Sequence, residues 1–407
     1  MSTIAIRNAQ VFFENRLVLR DVLVDNGVIA GVGRVRAAEH EIDARGRLLL
    51  PGAIDAHVHF RDLNEAYKED WYTGSCAAAA GGVTTVIDQP NTKPATCDNR
   101  SYSRKQRAAR KSIVDYAINA AIDSPDQLEE LWRSGVAAFG EVFIQDKSVG
   151  ELQQALRTIK RLDAVCCVHA EKNIDGNPDE VAGLTAIFAC NEQIGAKLHV
   201  SHLSTPMGLR LASAMTNQNV TCESTPHHLF LSSSDRLKLR SFGIMNPPLR
   251  SVLDVHKLWA KLSYIDMIAS DHAPHSVADK KMPYPPPGVP GVQTMLPLLL
   301  ARLDRIGVAQ LVRQVSTTPA MRFGLKNKGA IVEGFDADLV LVDPGDKRII
   351  TPDMLFSKCG WTPFEGCVAV FPSLTIVRGR IVFREGSITS KRGWGNQVFG
   401  AGWNSFE

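Results

Sequence analysis

The feature that most constrains how this chain can fold is a regular alternation of short apolar runs with helical segments. Between Pro51 and Gly334 such runs follow one another about every thirty residues, the spacing of strand–helix units. They read AIDAHVHF, VTTVIDQP, IVDYAINAA, VAAFGEVFI, AVCCVHAE, AKLHVSHLS, NVTCESTPHH and IDMIASDHAPH. Helical segments such as SVGELQQALRTIKRL lie between them. Eight strands that alternate with helices predict an α/β fold, the (β/α)8 TIM barrel.

An open, doubly wound parallel sheet is the competing fold for the same alternation. That fold commonly carries a glycine-rich phosphate loop after its first strand. Neither GxGxxG nor GxxxxGK[ST] follows AIDAHVHF in this chain. The barrel is therefore the favoured interpretation.

Both ends of the chain have the pattern of short strands joined by turns. TIAIRNAQVFF and LVLRDVLVDNG lie near the start, and DADLVLVDPG and LTIVRGRIVFREG lie near the end. Their apolar residues alternate with polar ones and are interrupted by Asn-Gly and Arg-Gly pairs, which is typical of hairpins. We expect residues 1–50 and 335–407 to form one small β-sandwich domain, and residues 51–334 to form the barrel.

Composition limits the partners that such a protein could have. The chain is 44% hydrophobic and 22% charged, with a formal net charge of +3 and no basic run, so no nucleic-acid partner is expected. Its start, MSTIAIRNAQVFFENRLVL, carries charges every few residues, and no apolar run reaches the length of about 18 residues that a membrane span needs. The eight cysteines form no CxxC pair, and several lie in apolar runs. We expect a protein without a membrane partner, in the reducing cytoplasm.

Residues able to bind metal ions stand at the ends of four predicted strands. Barrel active sites form where the strands end, so residues far apart in the sequence meet there. In a His-x-His pair on a strand both imidazoles lie on one face, because the side-chain period is two. The set therefore predicts a hydrolytic site for two metal ions, and its members are His57, His59, His169, His202 and Asp271.

Glu141 stands in the apolar run VAAFGEVFI. An ionised carboxylate in such a strand is costly unless it is paired or binds a cation. One interpretation is that Glu141 pairs with an arginine, and the other is that its carboxylate bridges two metal ions.

The motifs DAHVHFRD, QPNTKP, VHAE, HVSHLST, NPPLR and SDHAPH follow one another in this order. Together with TPFEG and TIVRGRIVF near the end, they make the chain resemble the dihydroorotase branch of the amidohydrolase superfamily. The resemblance covers nearly the whole chain. It implies a barrel with two zinc ions per chain, and the reversible closure of N-carbamoyl-aspartate to dihydroorotate in pyrimidine biosynthesis.

The resemblance also assigns roles to individual residues. His57 and His59 would bind the first metal ion, and His169 and His202 the second. Asp271 would contact the first ion and act as the catalytic proton shuttle. In many relatives the two ions are bridged by a carboxylated lysine, and Glu141 stands at that position here. Asp146 and a carboxylated Lys147 are the weaker alternatives for the bridge.

Four further residues are assigned to the substrate by the resemblance. Arg61, Asn91 and His275 would bind the substrate carboxylate, since a guanidinium group can pair with a carboxylate through two hydrogen bonds. Asn246, in MNPPLR, would contact the substrate ring. The Pro-rich stretch from 282 to 294 is expected to form a loop over the barrel mouth.

Two other functions compete with a dihydroorotase. A hydantoinase or allantoinase would use the same metal ligands on a different cyclic amide. An inactive homologue that serves as a partner subunit is the alternative from another class, but such a protein would have lost ligand histidines. A homodimer and an association with aspartate carbamoyltransferase are the hypotheses for protein partners.

Overall fold

The computed structural model describes residues 3–215 and 219–400, which contain a barrel and a mixed sheet. The strands in this part of the chain are β1 Ile4–Phe13, β2 Arg16–Asp25, β3 Val28–Gly33, β4 His40–Asp43, β5 Leu48–Pro51, β6 Ala53–Val58, β7 Val83–Asp88, β8 Asp115–Ile118, β9 Phe139–Phe143, β10 Val165–His169, β11 Lys172–Ile174, β12 Asn177–Asp179, β13 Lys197–Val200, β14 Val220–Ser224, β15 Met267–Ile268, β16 Leu339–Val342, β17 Lys347–Ile349, β18 Val368–Val370, β19 Leu374–Val377, β20 Arg380–Arg384 and β21 Ser387–Ile388. The α-helices are α1 Trp71–Ala80, α2 Asn99–Ala109, α3 Leu128–Arg133, α4 Val149–Arg161, α5 Glu180–Asn191, α6 Pro206–Ala214, α7 Pro226–Phe230, α8 Ser233–Leu239, α9 Val252–Ala260, α10 Val277–Lys280, α11 Met295–Leu300, α12 Leu303–Ile306, α13 Val308–Val312 and α14 Thr318–Arg322.

Eight parallel strands of the described chain form the barrel. Parallel pairing joins β6, β7 and β8 in one sheet, and β9, β10, β13, β14 and β15 in a second. Two parallel bridges close the ring, one between Ala120 and Phe139 and one between Val58 and His272. All residues of β6 and β7 are buried, as expected for strands covered on both faces. The predicted (β/α)8 fold is confirmed.

The helices around the barrel form where the sequence carries both a cap and an apolar stripe. In α4, the Ser148 hydroxyl accepts a hydrogen bond from the backbone N–H of Glu151, and the Glu151 carboxylate accepts one from the backbone N–H of Ser148. Its buried residues recur three and four positions apart, so one face packs on the barrel strands. These residues are Leu152, Ala155, Leu156 and Ile159.

Strands from both ends of the chain form one mixed sheet. Its nine described strands run in the order β21-β20-β19-β16-β5-β1-β2-β3, with β4 beside β1. The strand β5 joins the two ends, since it pairs in parallel with β1 and antiparallel with β16. Ile6, Val24 and Leu339 contribute to an apolar core of this sheet. A sheet domain made from both termini is thus confirmed, and its limits at 1–50 and 335–407 stay a prediction.

Two further features bear on the environment of the protein. Among the residues that the structure describes, no helix is both long and apolar enough to cross a membrane. All eight cysteines are free thiols, and six of them are buried. Burial raises the pKa of Cys166 to about 12, so that its thiol stays neutral and packs as a small apolar side chain.

Candidate active site

The first histidine pair lies where β6 ends. His57 is in the strand and His59 follows it, and both rings are buried with their centroids 5.1 Å apart. Asp55 fixes this strand end, since its Oδ1 accepts hydrogen bonds from the backbone N–H of His57 at 3.3 Å and of Ser270 at 2.9 Å. The two histidines are thereby held beside the end of β15.

The second pair comes from the ends of two neighbouring strands. His169 is the last residue of β10, and His202 lies just after β13. Their ring centroids are 4.5 Å apart, and both rings are buried. The ring centroid of His202 is 5.4 Å from that of His57, so the two pairs face each other across one small space.

The carboxylate of Glu141 lies between the two pairs. Its Oε2 is 3.6 Å from His57 Nε2 and 4.0 Å from His59 Nε2. Its Oε1 is 3.1 Å from His169 Nδ1 and 2.6 Å from His202 Nε2. Each carboxylate oxygen therefore faces one histidine pair, which is the arrangement that a bridging ligand needs.

The backbone before Glu141 fits only glycine. Gly140 has φ +116°, and a Cβ atom there would lie 2.1 Å from the carbonyl oxygen of Cys167 on β10. This close approach brings β9 against β10 and places Glu141 beside His169. The glycine in VAAFGEVFI is thus part of how the sequence positions the carboxylate.

The atoms that converge here fit metal ions. The ligand atoms of His57, His59 and Glu141 all lie within 4.8 Å of one another, and so do those of Glu141, His169 and His202. The Nε2 atom of His57 is buried without a hydrogen-bond partner in the described residues. A buried imidazole nitrogen that faces two carboxylates and makes no hydrogen bond is suited to donate its lone pair to a cation.

The local charges keep the acids of this centre ionised. Burial alone would raise the pKa of Glu141, but the charge of His57 and the hydrogen bonds of His169 and His202 hold it well below its ordinary value. Burial also opposes ionisation of Asp271, and the hydrogen bond to His59 together with the charge of His57 outweighs it and lowers that pKa. Deprotonated carboxylates are the form that binds metal ions.

Asp271 lies at the end of β15, beside the first histidine pair. Its Oδ1 is 3.1 Å from His59 Nε2 and 3.6 Å from His57 Nε2. The same side chain lines the cavity in front of the histidines. It can therefore contact both an ion held by this pair and a molecule in the cavity.

Additional side chains around the metal centre orient the histidines, and these were not predicted from the sequence. The Nδ1–H of His57 donates to Glu223 Oε1 at 2.7 Å, and Glu223 Oε2 is 3.0 Å from His199 Nε2. Glu171 Oε2 lies 2.9 Å from His169 Nε2. Glu223 stands in the apolar strand β14 as Glu141 stands in β9, so the same signal, an acid in an apolar run, could have revealed it.

The carboxylate of Glu223 is fully buried and stays ionised. Burial raises its pKa, but the charge of His57 and the hydrogen bond of His199 prevail and lower it to about 2. An anion at the Nδ1 atom of His57 keeps a proton on that nitrogen, so a metal ion that displaces the other proton would be bound through Nε2.

A cavity of about 310 Å³ opens in front of the histidines, a volume suited to a small molecule. Its wall includes every residue that the sequence assigned to the site except His57, which is buried. Those lining residues are His59, Arg61, Asn91, Glu141, His169, His202, Asn246, Asp271 and His275. The other lining residues outside the Pro-rich loop, which the sequence did not reveal, are Glu65, Lys68, Lys93, Phe143 and Ala273. The loop predicted over the mouth contributes residues 286 to 288 to the same wall.

Arg61 is buried in this wall without a carboxylate partner among the described residues. Its Nε donates to the carbonyl oxygen of Pro274 at 3.4 Å, and its Nη2 is 3.4 Å from His275 Nε2. Burial lowers the pKa of this guanidinium group. A buried cation with only long contacts to neutral groups is suited to an anionic ligand.

Asn91 also contributes to the first histidine pair. Its Oδ1 lies 2.7 Å from His59 Nδ1, so the side-chain oxygen accepts a hydrogen bond from that N–H and orients the ring. The residue is half-buried and lines the cavity, whereas Asn246 is exposed at its edge.

The two alternatives for the bridge lie away from the histidines. Asp146 is exposed, and the ammonium group of Lys147 forms an ion pair with Asp123. Neither belongs to a group of ligand atoms that could hold a metal ion in the described part of the chain.

A third cluster of carboxylates lies outside this centre and is already neutralised. Asp115, Asp336 and Asp338 surround the ammonium group of Lys328, whose Nζ is 2.5 Å from Asp115 Oδ2 and 2.7 Å from Asp338 Oδ2. Because a lysine occupies its centre, this cluster is an ion-pair network that joins the barrel to the terminal sheet.

Comparisons with known proteins agree with this site. The amidohydrolase family profile matches residues 48–382. The chain is 42% identical to a dihydroorotase of Methanosarcina acetivorans over 100% of this chain and 97% of the relative. It is also 42% identical to a dihydroorotase of Halobacterium salinarum, over 90% of this chain and 93% of the relative. Among solved structures, an L-hydantoinase (dihydropyrimidinase) from Arthrobacter aurescens superposes with a TM-score of 0.91 at 26% identity, covering 98% of this chain and 100% of the other.

The chain therefore belongs to the amidohydrolase family, a family of metal-dependent hydrolases. Its sequence relatives place it on the dihydroorotase branch of that family, and it is a hydrolase that acts on cyclic amides. The predicted family and enzyme class are confirmed.

Proposed function

We propose that this protein is a dihydroorotase that interconverts dihydroorotate and N-carbamoyl-L-aspartate with two zinc ions per chain. The observation that carries the proposal is the environment of Arg61, a buried cation in the wall of a cavity that ends at the two histidine pairs. No carboxylate of the described residues forms an ion pair with it. Dihydroorotate has a carboxylate next to a cyclic amide, so it would bring an anion to Arg61 and an amide carbonyl to the centre. The dihydroorotases among the relatives support the same substrate.

His57 and His59 would hold one ion, and His169 and His202 the other, with Glu141 shared between them. Zinc suits the imidazole and carboxylate donors of this set. When bound, the ions lower the pKa of a water molecule, so that hydroxide is available near neutral pH. The bridge by Glu141 would be part of the polypeptide itself, with no need for the carboxylation that a lysine requires.

Asp271 would move the proton. In ring opening, a C–O bond forms at the amide carbonyl, the ring C–N bond breaks, and the leaving nitrogen gains a proton. Asp271 lines the cavity beside His59 and is kept ionised, so it can accept the proton of the attacking water and give it to that nitrogen. Ring closure would follow the same path in reverse.

The substrate carboxylate would lie against Arg61, with Asn91 and His275 as its other partners. Burial lowers the pKa of His275 to about 2, so the ring is neutral and has a single N–H. That N–H donates to the carbonyl oxygen of Pro287 at 2.9 Å, so His275 would turn it toward the substrate carboxylate when the substrate binds. Asn246, at the cavity edge, would contact the ring of the substrate.

A hydantoinase is the second candidate, and the likeness to solved hydantoinase and dihydropyrimidinase structures favours it. One of these, from Brevibacillus agri, has a TM-score of 0.90 at 26% identity. Those structures share the fold at 26% identity, whereas the dihydroorotases share 42% of the sequence. An uncharged hydantoin would leave Arg61 buried without an anion, so the geometry favours the acid substrate.

The test is a turnover assay of the purified protein on dihydroorotate, hydantoin and allantoin, combined with elemental analysis. We expect ring opening of dihydroorotate at a kcat/KM at least tenfold above that of the other two substrates, since the contact with the carboxylate contributes about 1.5–3 kcal/mol. We expect about two zinc ions per chain. Preference for hydantoin would transfer the assignment to the second candidate.

The cellular compartment and the protein partners of this enzyme are also proposals. Free thiols in the core fit a reducing compartment, and we place the enzyme in the cytoplasm. A homodimer, and an association with aspartate carbamoyltransferase, stay predictions, which sedimentation of the protein alone and with that enzyme would test.

A further inference from the structure

Lys280, the last residue of α10, is the most unusual buried cation outside the metal centre. Its side chain is fully buried, and no carboxylate pairs with it in the described part of the chain. Its ammonium group donates to three backbone carbonyl oxygens, those of Ile244 at 3.0 Å, Pro286 at 3.0 Å and Gly288 at 3.1 Å. Three N–H groups thus meet three acceptors, and the cation is satisfied by backbone alone.

The three carbonyl groups belong to two segments that line the substrate cavity. Ile244 lies two residues before Asn246, and Pro286 and Gly288 belong to the loop from 282 to 294. The backbone N–H of Gly288 donates to Ile244 at 3.0 Å, so the segments also contact each other directly. Lys280 therefore fixes the distance between the two sides of this wall.

The same loop holds His275. The Nε2–H of His275 donates to the carbonyl oxygen of Pro287, the residue between two of the lysine contacts, at 2.9 Å. Gly288 packs closely enough that a Cβ atom there would lie 2.5 Å from the carbonyl oxygen of Ala273. A shift of this loop would consequently move His275 and its neighbour Arg61.

Trp361, which follows the barrel strands in the sequence, contacts both His275 and Lys280. The Nε1–H of Trp361 donates to the carbonyl oxygen of His275 at 2.8 Å. Its ring centroid lies 5.7 Å from Lys280 Nζ, and the ring packs edge-on against Phe242 with the centroids 4.9 Å apart. His275 is thereby held between the loop and the segment that carries Trp361.

We infer that Lys280 is a positioning residue for substrate recognition, which sets the wall formed by Asn246, His275 and residues 286 to 288. Without its ammonium group, the carbonyl oxygens of Pro286 and Gly288 would lose this donor and that of Ile244 would keep only the N–H of Gly288. The three converging carbonyl dipoles would then repel one another, and the loop would relax. The four histidines and Glu141 are on other strand ends, and Asp271 makes no contact with Lys280, so binding of substrate should suffer while the metal centre is kept. This inference rests on the proposed function, because the affected wall is the one assigned to the substrate.

The experiment compares Lys280→Met with Lys281→Met, a matched control at the exposed neighbouring lysine. We expect Lys280→Met to raise KM for dihydroorotate about tenfold, with kcat changed less than about threefold and zinc content unchanged. Lys281→Met should keep the parental constants. A folded Lys280→Met protein with parental KM, or one that loses kcat at constant KM, would overturn the inference.

A second variant keeps the inference testable if Lys280→Met does not fold. Trp361→Phe removes the indole N–H that donates to His275 and reduces the ring beside Lys280. It should raise KM about threefold at unchanged kcat, while a parental KM would count against the inference. The proposed function is tested separately by the parent protein. If the parent opens hydantoin instead of dihydroorotate, the proposed function fails, and the same KM comparison on hydantoin still decides the role of Lys280.

Discussion

Replacement of Glu223 by glutamine tests whether its carboxylate fixes the tautomer and orientation of His57 in the first histidine pair. The carboxylate accepts a hydrogen bond from the Nδ1–H of His57 at 2.7 Å and contacts His199 Nε2 at 3.0 Å. Glutamine has the same shape but offers one acceptor and one donor, so both contacts cannot be kept with the same tautomers. If the proton of His57 moves to Nε2, the lone pair toward the centre is lost.

The size of the effect follows from the contact with His57. A hydrogen bond to a charged group contributes about 1.5–3 kcal/mol, and loss of a carboxylate that supports a metal-binding histidine typically lowers metal affinity about 10- to 100-fold. We expect a loss in this range for zinc at the site of His57 and His59, and little change at the site of His169 and His202. The midpoint of thermal unfolding of the metal-free protein should change little, because glutamine fills the same volume in the core as glutamate.

The assay is a zinc titration of the metal-free protein against a chromophoric chelator, which separates the two sites by their affinities. Thr221→Val is the matched control, because Thr221 Oγ1 contacts His199 Nδ1 at 2.9 Å, one link further from His57. It should change zinc affinity by less than about threefold. Parental affinity in a folded Glu223→Gln protein would refute the reasoning, and so would equal losses in both variants, since these would indicate damaged packing.

Three further predictions concern the centre and the substrate. Glu141→Ala should lower the zinc content from two ions per chain to one or none, measured by elemental analysis of the purified protein, and an unchanged content would exclude the bridge. Asp271→Asn should keep the fold and at least one ion but lower kcat about 100- to 10,000-fold or more, because an amide cannot accept the proton, and activity within about tenfold of the parent would assign the shuttle elsewhere. Arg61→Met should lower kcat/KM for dihydroorotate about ten- to a hundredfold and leave any turnover of hydantoin nearly unchanged, and equal losses on both would mean that Arg61 supports the centre itself.

The barrel and the two histidine pairs were predictable because they depend on regular patterns. Strand ends in a barrel meet at one face, so residues such as His57 and His202 can be brought together from spacing alone. The acid in an apolar strand singled out Glu141 by the cost of burying a charge. The structure places these three side chains at the same centre.

The supporting contacts could not be predicted in the same way. Glu223 meets His57 only because closure of the barrel leaves β15 alone between β14 and β6, a proximity that no local pattern encodes. Lys280 next to Lys281 resembles an ordinary surface pair, and only the fold of the Pro-rich loop shows that one of them is buried. Such contacts depend on loop conformations, which spacing does not determine.

The position of β5 in the terminal sheet has a consequence for synthesis in the cell. All four of its residues, Leu48–Pro51, are buried, and β16 covers one of its edges. β16 leaves the ribosome only after the whole barrel, on the order of tens of seconds later at ordinary translation rates. During that interval the nascent chain displays an apolar strand edge, which is a template for aggregation. The enzyme should thus depend on chaperones until its last strands are made, and chains that stop before β16 should accumulate as insoluble fragments.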